Sequence, residues 1–336
     1  MNNGRQHGIH HYLGYLLVGS FLLLGMVSCD FFKKKASPQE LFKQAEQSRK
    51  DENFVEAAQL YDELINRHEK SELAPAALYY SGICKYTLSL RAPGKREFDQ
   101  RKGDLSDSKK DTYSQWIKYL SGREDQFLYL DAIDKFVYKG LEFKTLLDRY
   151  PASNLADDAA FQLIHTHLTA KAQTNTLTIE AALQLYAEYF TDYPQSPYRQ
   201  KGIEHLMQLV SQYSQTMLNH EEIVTAYQHL AQTAEGLPDL EKLAYLLGTQ
   251  FLKVKDLKNA AAILNAPSLI GIGVVETAST RLNIRSGQGT EYRVVGKAER
   301  GEQILLLSKS GQWYNIRLQD GTIGYAHADF VREYQP

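Results

Sequence analysis

The sequence predicts a multidomain α and β chain: a helical-repeat solenoid over residues 38–266, followed by a small β-barrel over 275–336. Three observations carry this. Composition changes near residue 266, from Ala, Leu, Gln, Glu, Lys and Tyr with few glycines to β-branched residues with glycines at turn spacing. Apolar residues before that point recur at helical spacing, and those after it fall in short runs. One turn pattern also recurs within the helical part.

The first 28 residues stand apart. A lone Arg5 precedes the apolar run from Tyr12 to Val27, which is 16 residues long (27 − 12 + 1). Roughly 20 residues are needed to span a bilayer, so the run has the length and charge order of a secretory signal. Small Ser28 and Cys29 follow, then Asp30-Phe31-Phe32 and three lysines. Met26-Val27-Ser28-Cys29 resembles the lipobox of bacterial lipoproteins, with Met26 where leucine is usual. The resemblance implies cleavage before Cys29, acylation of that cysteine (palmitate included) and a lipidated linker over 29–37. Acyl chains contribute about 0.8 kcal/mol per buried methylene, enough together to hold a protein without a membrane helix. The expected location is the bacterial cell envelope, anchored to a membrane and facing the periplasm or exterior. Asp30 resembles the inner-membrane retention signal of enteric bacteria, and the choice of membrane stays open.

Ser37-Pro38-Gln39-Glu40 reads as a helix start, with a capping serine, a first-turn proline and an acid near the positive end of the dipole. Phe54, Ala57, Ala58, Tyr61, Leu64 and Ile65 then form one stripe. Three segments share a pattern: Leu64 to Ser71, Leu146 to Ser153 and Tyr189 to Ser196, each a helix end, a ring residue (His68, Tyr150, Tyr193) and a serine three positions on. The serine is expected to cap the following helix, so that each unit is a helix hairpin needing neighbours to bury its stripe. The second spacing is 43 (193 − 150) and the first 82 (150 − 68), leaving room for an inserted helix pair. With Ala45, Ala57 and Tyr61 in the small and aromatic positions, the pattern resembles the tetratricopeptide repeat, implying a surface for a protein partner. Its Tyr-Pro-x-Ser turns are similar to periplasmic members of that superfamily, including the lipoprotein of outer-membrane β-barrel assembly. Residues 91–123 interrupt the array. They are highly charged, with turn formers, and read as a solvated, partly disordered insertion; a projecting docking loop is the other reading.

Residues 267–274 read as a short linker. Beyond it, strands are expected at 281–285, 293–298, 303–308, 313–318 and 322–327, with turns at Ser286 to Gly289, Arg300-Gly301, Ser310-Gly311 and Asp320-Gly321. The run from Leu282 to Gly296, then Gly301, Trp313 and Leu318 to His327, resembles the bacterial SH3-like domain. Gln288 stands where proline is usual, and Tyr325 where tryptophan is. The resemblance implies recognition of peptidoglycan or its stem peptides between aromatic residues and loops. Tyr292, Trp313, Tyr314 and Tyr325 are the aromatic candidates, with Asn283 and Arg285 as polar neighbours. Alternation along a strand puts Trp313 and Tyr314 on opposite faces, so at most one lines a given groove.

The chain has 38 basic and 40 acidic residues and a net charge of −2, giving no case for a nucleic-acid partner. Cys84 is the one cysteine besides Cys29, so no intramolecular disulfide is expected in the mature chain, and Cys84 reads as a small buried residue. No zinc motif, phosphate loop or nucleophile elbow occurs, and His165 and His167 point to different helix faces. The expectation is a non-catalytic envelope scaffold with no metal or cofactor. It would hold a protein on its repeats, the wall on its barrel and a membrane through Cys29. The alternatives are a lipoprotein of outer-membrane protein assembly and an accessory regulator of a wall hydrolase.

Overall fold

The computed structural model describes residues 36–213, 217, 219–266, 268–278 and 281–334. The expected signal, Cys29 and most of the 29–37 linker lie outside these residues. Ser37 opens α1 (Pro38–Lys50) as a capping box, its hydroxyl accepting the Glu40 N–H at 3.2 Å while the Glu40 carboxylate accepts the Ser37 N–H at 2.8 Å. Helix α2 (Phe54–Arg67) buries Phe54, Ala57, Ala58, Tyr61 and Leu64, the stripe its spacing implies, and α3 (Ala74–Arg91) covers it.

After an interruption, α6 (Leu141–Arg149), α7 (Ala156–Gln173), α8 (Ile179–Asp192), α9 (Arg199–Tyr213), α10 (His220–Thr233), α11 (Leu240–Lys253) and α12 (Leu257–Leu264) continue the array. Helix α8 packs on α10, α10 on α12 and α9 on α11, so helices meet the next but one in the chain as well as close neighbours.

The recurrent turns share one backbone ladder. The N–H of His68 donates to Leu64 O, that of Ser71 to His68 O and that of Ala74 to Ser71 O; Tyr150, Ser153 and Ala156 repeat it, as do Tyr193, Ser196 and Arg199. The serine does not cap the next helix as expected. Its hydroxyl accepts the N–H two residues on, from Leu73, Leu155 and Tyr198, at 3.2 Å each, closing a local turn before the helix begins. A fourth ladder runs through Ala234, Leu237 and Leu240, 41 residues after Tyr193 (234 − 193). It has neither the ring nor the serine, so side-chain pattern alone does not reveal it.

The charged insertion is more ordered than its composition suggests. It forms α4 (Lys95–Arg101) and α5 (Asp107–Ser121), and a hairpin follows, β1 (Phe127–Leu130) with β2 (Lys135–Tyr138). Local pairs absorb the charge: Arg101 with Glu97 at 3.1 Å, Lys102 with Asp99 at 3.0 Å and Lys110 with Asp107 at 3.3 Å. At the hairpin tip Asp134 takes a left-handed φ of 54° and its carboxylate accepts the N–H of Arg96 at 3.1 Å and of Glu97 at 2.8 Å. The hairpin thus holds the first turn of α4. Beneath it lies a buried ionic cluster. The Lys85 ammonium donates to Asp62 at 2.9 Å and to Glu142 at 2.5 Å, and the Tyr138 hydroxyl donates to Glu142, joining α2, α3, α6 and β2.

The C-terminal part is a seven-stranded antiparallel sheet of order β5-β4-β8-β7-β6-β3-β9. Its strands are β3 (Gly271–Val275), β4 (Leu282–Arg285), β5 (Val294–Ala298), β6 (Gln303–Ser310), β7 (Trp313–Arg317), β8 (Ile323–His327) and β9 (Val331–Glu333). The expected 267–274 linker is therefore mostly not a linker. Ile272 and Val275 are buried, and β3 pairs with both β6 and β9. Val275, Leu282, Ile284, Ala298, Ile304, Leu306, Tyr314, Ile316, Ala326 and Val331 share one core, which demands a curled sheet. No pairing joins edge strands β5 and β9 among the described residues, so closure into a barrel is not seen.

The other sheet face meets the helices. Leu305 and Leu307 of β6 belong to the core of α7 to α12, together with Leu269 and Ile272. Arg317 donates to Leu264 O at 2.6 Å and pairs with Glu241, and the Tyr245 hydroxyl donates to Gln303 O.

Candidate functional site

Along β4, β8 and β7 the period-two alternation sorts side chains between the sheet core and an outer face. Leu282, Ile284, Tyr314, Ile316 and Ala326 go inward, while Asn283, Arg285, Trp313, Tyr325 and His327 go outward. Cross-strand register then places Trp313 opposite His327, and Arg285 opposite Tyr325. The Trp313 and His327 rings meet edge to face, centroids 5.1 Å apart at 86°, and Phe330 lies 6.0 Å beyond His327. The N–H of Asp329 meets His327 Nδ1 at 3.3 Å, which steadies the ring against the groove.

These groups line a groove of about 480 Å³ with Arg281, Asn283, Arg285, Thr290 and Asp329. One wall is aromatic and the other cationic. The Arg281 guanidinium pairs with Glu299 at 2.5 Å, while Arg285 donates to the carbonyl of Tyr292 at 2.8 Å and has no carboxylate partner among the described residues. Arg285 therefore faces the groove with no carboxylate paired to it among the described residues, and the Asp329 carboxylate lines the same groove. A short, partly apolar chain ending in a carboxylate fits such a site.

Of the six candidates, Asn283, Arg285 and Trp313 meet in the groove. Tyr314 does not. It is 2 % exposed in the sheet core, and its hydroxyl donates to Glu333 at 2.5 Å and accepts from Lys309 at 2.8 Å. Tyr325 shares the outer face without lining the groove. Tyr292 is 46 % exposed and packs over Gly287, where a Cβ would come within 2.5 Å of its ring; it borders the site only through its carbonyl. Sequence reasoning missed His327, Phe330, Asp329 and Arg281. Alternation from Tyr325 would have found His327, and alternation from Asn283 would have found Arg281.

Residues 280–332 match the family model of the bacterial SH3 domain. No curated protein matches the chain. The groove thus lies on an SH3 domain whose outer face is shared between the groove and the contact with the helices. Among the described residues no group of three or more His, Cys, Asp or Glu could hold a metal ion, and no helix is long and apolar enough to cross a membrane.

Proposed function

We propose that the protein is a non-catalytic, lipid-anchored scaffold of the bacterial cell envelope whose SH3 domain holds a peptide of the cell wall. The observation that carries this reading is an aromatic wall, Trp313, His327 and Phe330, in one groove with Arg285, which has no carboxylate partner among the described residues. Bacterial SH3 domains often bind peptidoglycan or peptides, and a stem peptide offers both small apolar side chains and carboxylates. The helices, whose sequence resembles tetratricopeptide repeats, would hold a protein partner, and Cys29 would carry the lipid.

Co-sedimentation of residues 30–336 with purified sacculi tests the reading. Trp313→Ala and Arg285→Ala should each stay folded and lower the bound fraction by at least tenfold. Point variants are preferred to removing the domain, because β6 shares the helical core. Full sedimentation of both variants would move binding off the groove. A folded parent chain that stays in solution would overturn wall recognition and favour a role in outer-membrane protein assembly.

A further inference from the structure

The helical array has a second groove, and it is built differently. Hairpin β1–β2 is apolar on both faces. Phe127, Tyr129, Phe136 and Tyr138 pack on the core of the first helices, while Leu128 and Val137, paired across the strands, face the other way. Together with Leu147 of α6, Leu163 and Ile164 of α7, and Leu185 and Tyr189 of α8, they line an open cavity of about 540 Å³. The lining of α7 runs from Ala160 to Ala170, which at the helical rise makes a slot about 15 Å long. Leu128 is 46 % exposed at its mouth, and Ile133 and Leu141, on the hairpin tip and the start of α6, are exposed as well.

The rim is acidic on one side. Glu188 and Asp192 stand one turn apart on α8, both exposed, with no ion-pair partner among the described residues. Like charges at that spacing repel. The cation on the opposite rim is already engaged, since Lys139 donates to the carbonyl of Glu124 at 2.7 Å.

We infer that this slot receives an amphipathic helix of a partner protein, its large apolar side chains entering between the hairpin and α7–α8 and its lysines or arginines facing Glu188 and Asp192. The volume admits the side chains of one helix face and not a whole helix, the usual geometry of a helix laid in a groove. The inference rests on the scaffold reading above and names the chemistry of the partner the helices would hold.

The probe is a fluorescent 14-residue leucine–lysine amphipathic helix, with one control replacing its leucines by serine and another its lysines by glutamate. Binding to residues 30–336 is followed by anisotropy. The parent chain should bind the first peptide at least tenfold more tightly than either control. Leu128→Glu should lose that preference while keeping its helical circular dichroism. Glu188→Lys with Asp192→Lys should weaken the lysine peptide at least tenfold and strengthen the glutamate one. Equal binding of all three peptides, or binding unchanged in both variants, would overturn the inference. So would self-association abolished by Leu128→Glu, which would assign the slot to a second copy, or binding that appears only after residues 30–35 are deleted. Sacculus co-sedimentation of the same variants should be unaltered, which separates failure here from failure of wall recognition.

Discussion

The groove on the SH3 domain draws its walls from strands whose register fixes every neighbour, whereas the helical slot depends on where an inserted hairpin comes to rest. In the first, period two along β4, β7 and β8 decides which residues share a face, and those that face the groove are polar or aromatic. In the second, hairpin β1–β2 is tied at its tip to α4, whose Arg96 and Glu97 N–H groups donate to Asp134, and from below to the Lys85 cluster, and the exposed lining is aliphatic. The comparison teaches that a charged insertion can be the brace of a site without lining it.

The largest expected effect comes from the ionic cluster beneath the hairpin. Lys85→Met strips Asp62 and Glu142 of their buried partner and should cost about 3–5 kcal/mol in urea denaturation. It should also abolish binding of the leucine–lysine helix while co-sedimentation with sacculi is kept. Loss of both sites together would break the comparison.

Adjacent residues sharpen the other side. Tyr314→Ala should destabilise the SH3 domain by about 3–5 kcal/mol, because its ring fills the sheet core. Trp313→Ala, one residue earlier on the outer face, should change stability by less than about 1 kcal/mol and act on binding. Thermal unfolding beside co-sedimentation checks both, and equal destabilisation by the two would remove the division of faces.

A smaller effect should come from pH, and it belongs to the helices. His165 and His205 stack with centroids 4.0 Å apart, and the Tyr186 hydroxyl meets His205 Nδ1 at 2.7 Å. Burial, then the neighbouring His205, lowers His165 to about 4, and burial lowers His205 as well. Below pH 6.5 the unfolded chain takes up protons that the fold resists. Stability should therefore fall as pH drops from about 6.5 towards 4, by at most about 1.4 kcal/mol per pH unit for each histidine. Denaturation midpoints at pH 7, 6 and 5 should show this slope, and His165→Phe should flatten it.

How much could be read in advance differs between the regions for physical reasons. The stripe of α2, the Ser37 cap and the strands from Leu282 to His327 follow local periodicity, which is a property of the chain alone. Asn283, Arg285 and Trp313 were found because alternation and family resemblance agreed. Tyr314 was included although alternation already placed it opposite Trp313, and only burial shows which of the two turned inward. The fourth turn at Ala234 was hidden because its ladder is made of backbone. The insertion misled because charge density reads as solvation, while its pairs at helical spacing and the distant Asp134 carboxylate become visible only once the chain has folded. Strand β3 was missed because a run such as Gly271-Ile272-Gly273 reads as a joint until a strand on each side claims it.

The contact of β6 with the last helices has a consequence for how this chain could be rearranged. A stack of helices ends in an apolar face that something must close, and here Leu305 and Leu307 lie against it with Leu269 and Ile272. The SH3 domain is thus also the lid of the stack, so neither half can be transplanted as an independent bead without a new surface for the other. The same closure makes the SH3 groove and the helices one lever, and a pull applied at the groove is transmitted to the helices without passing through a slack tether.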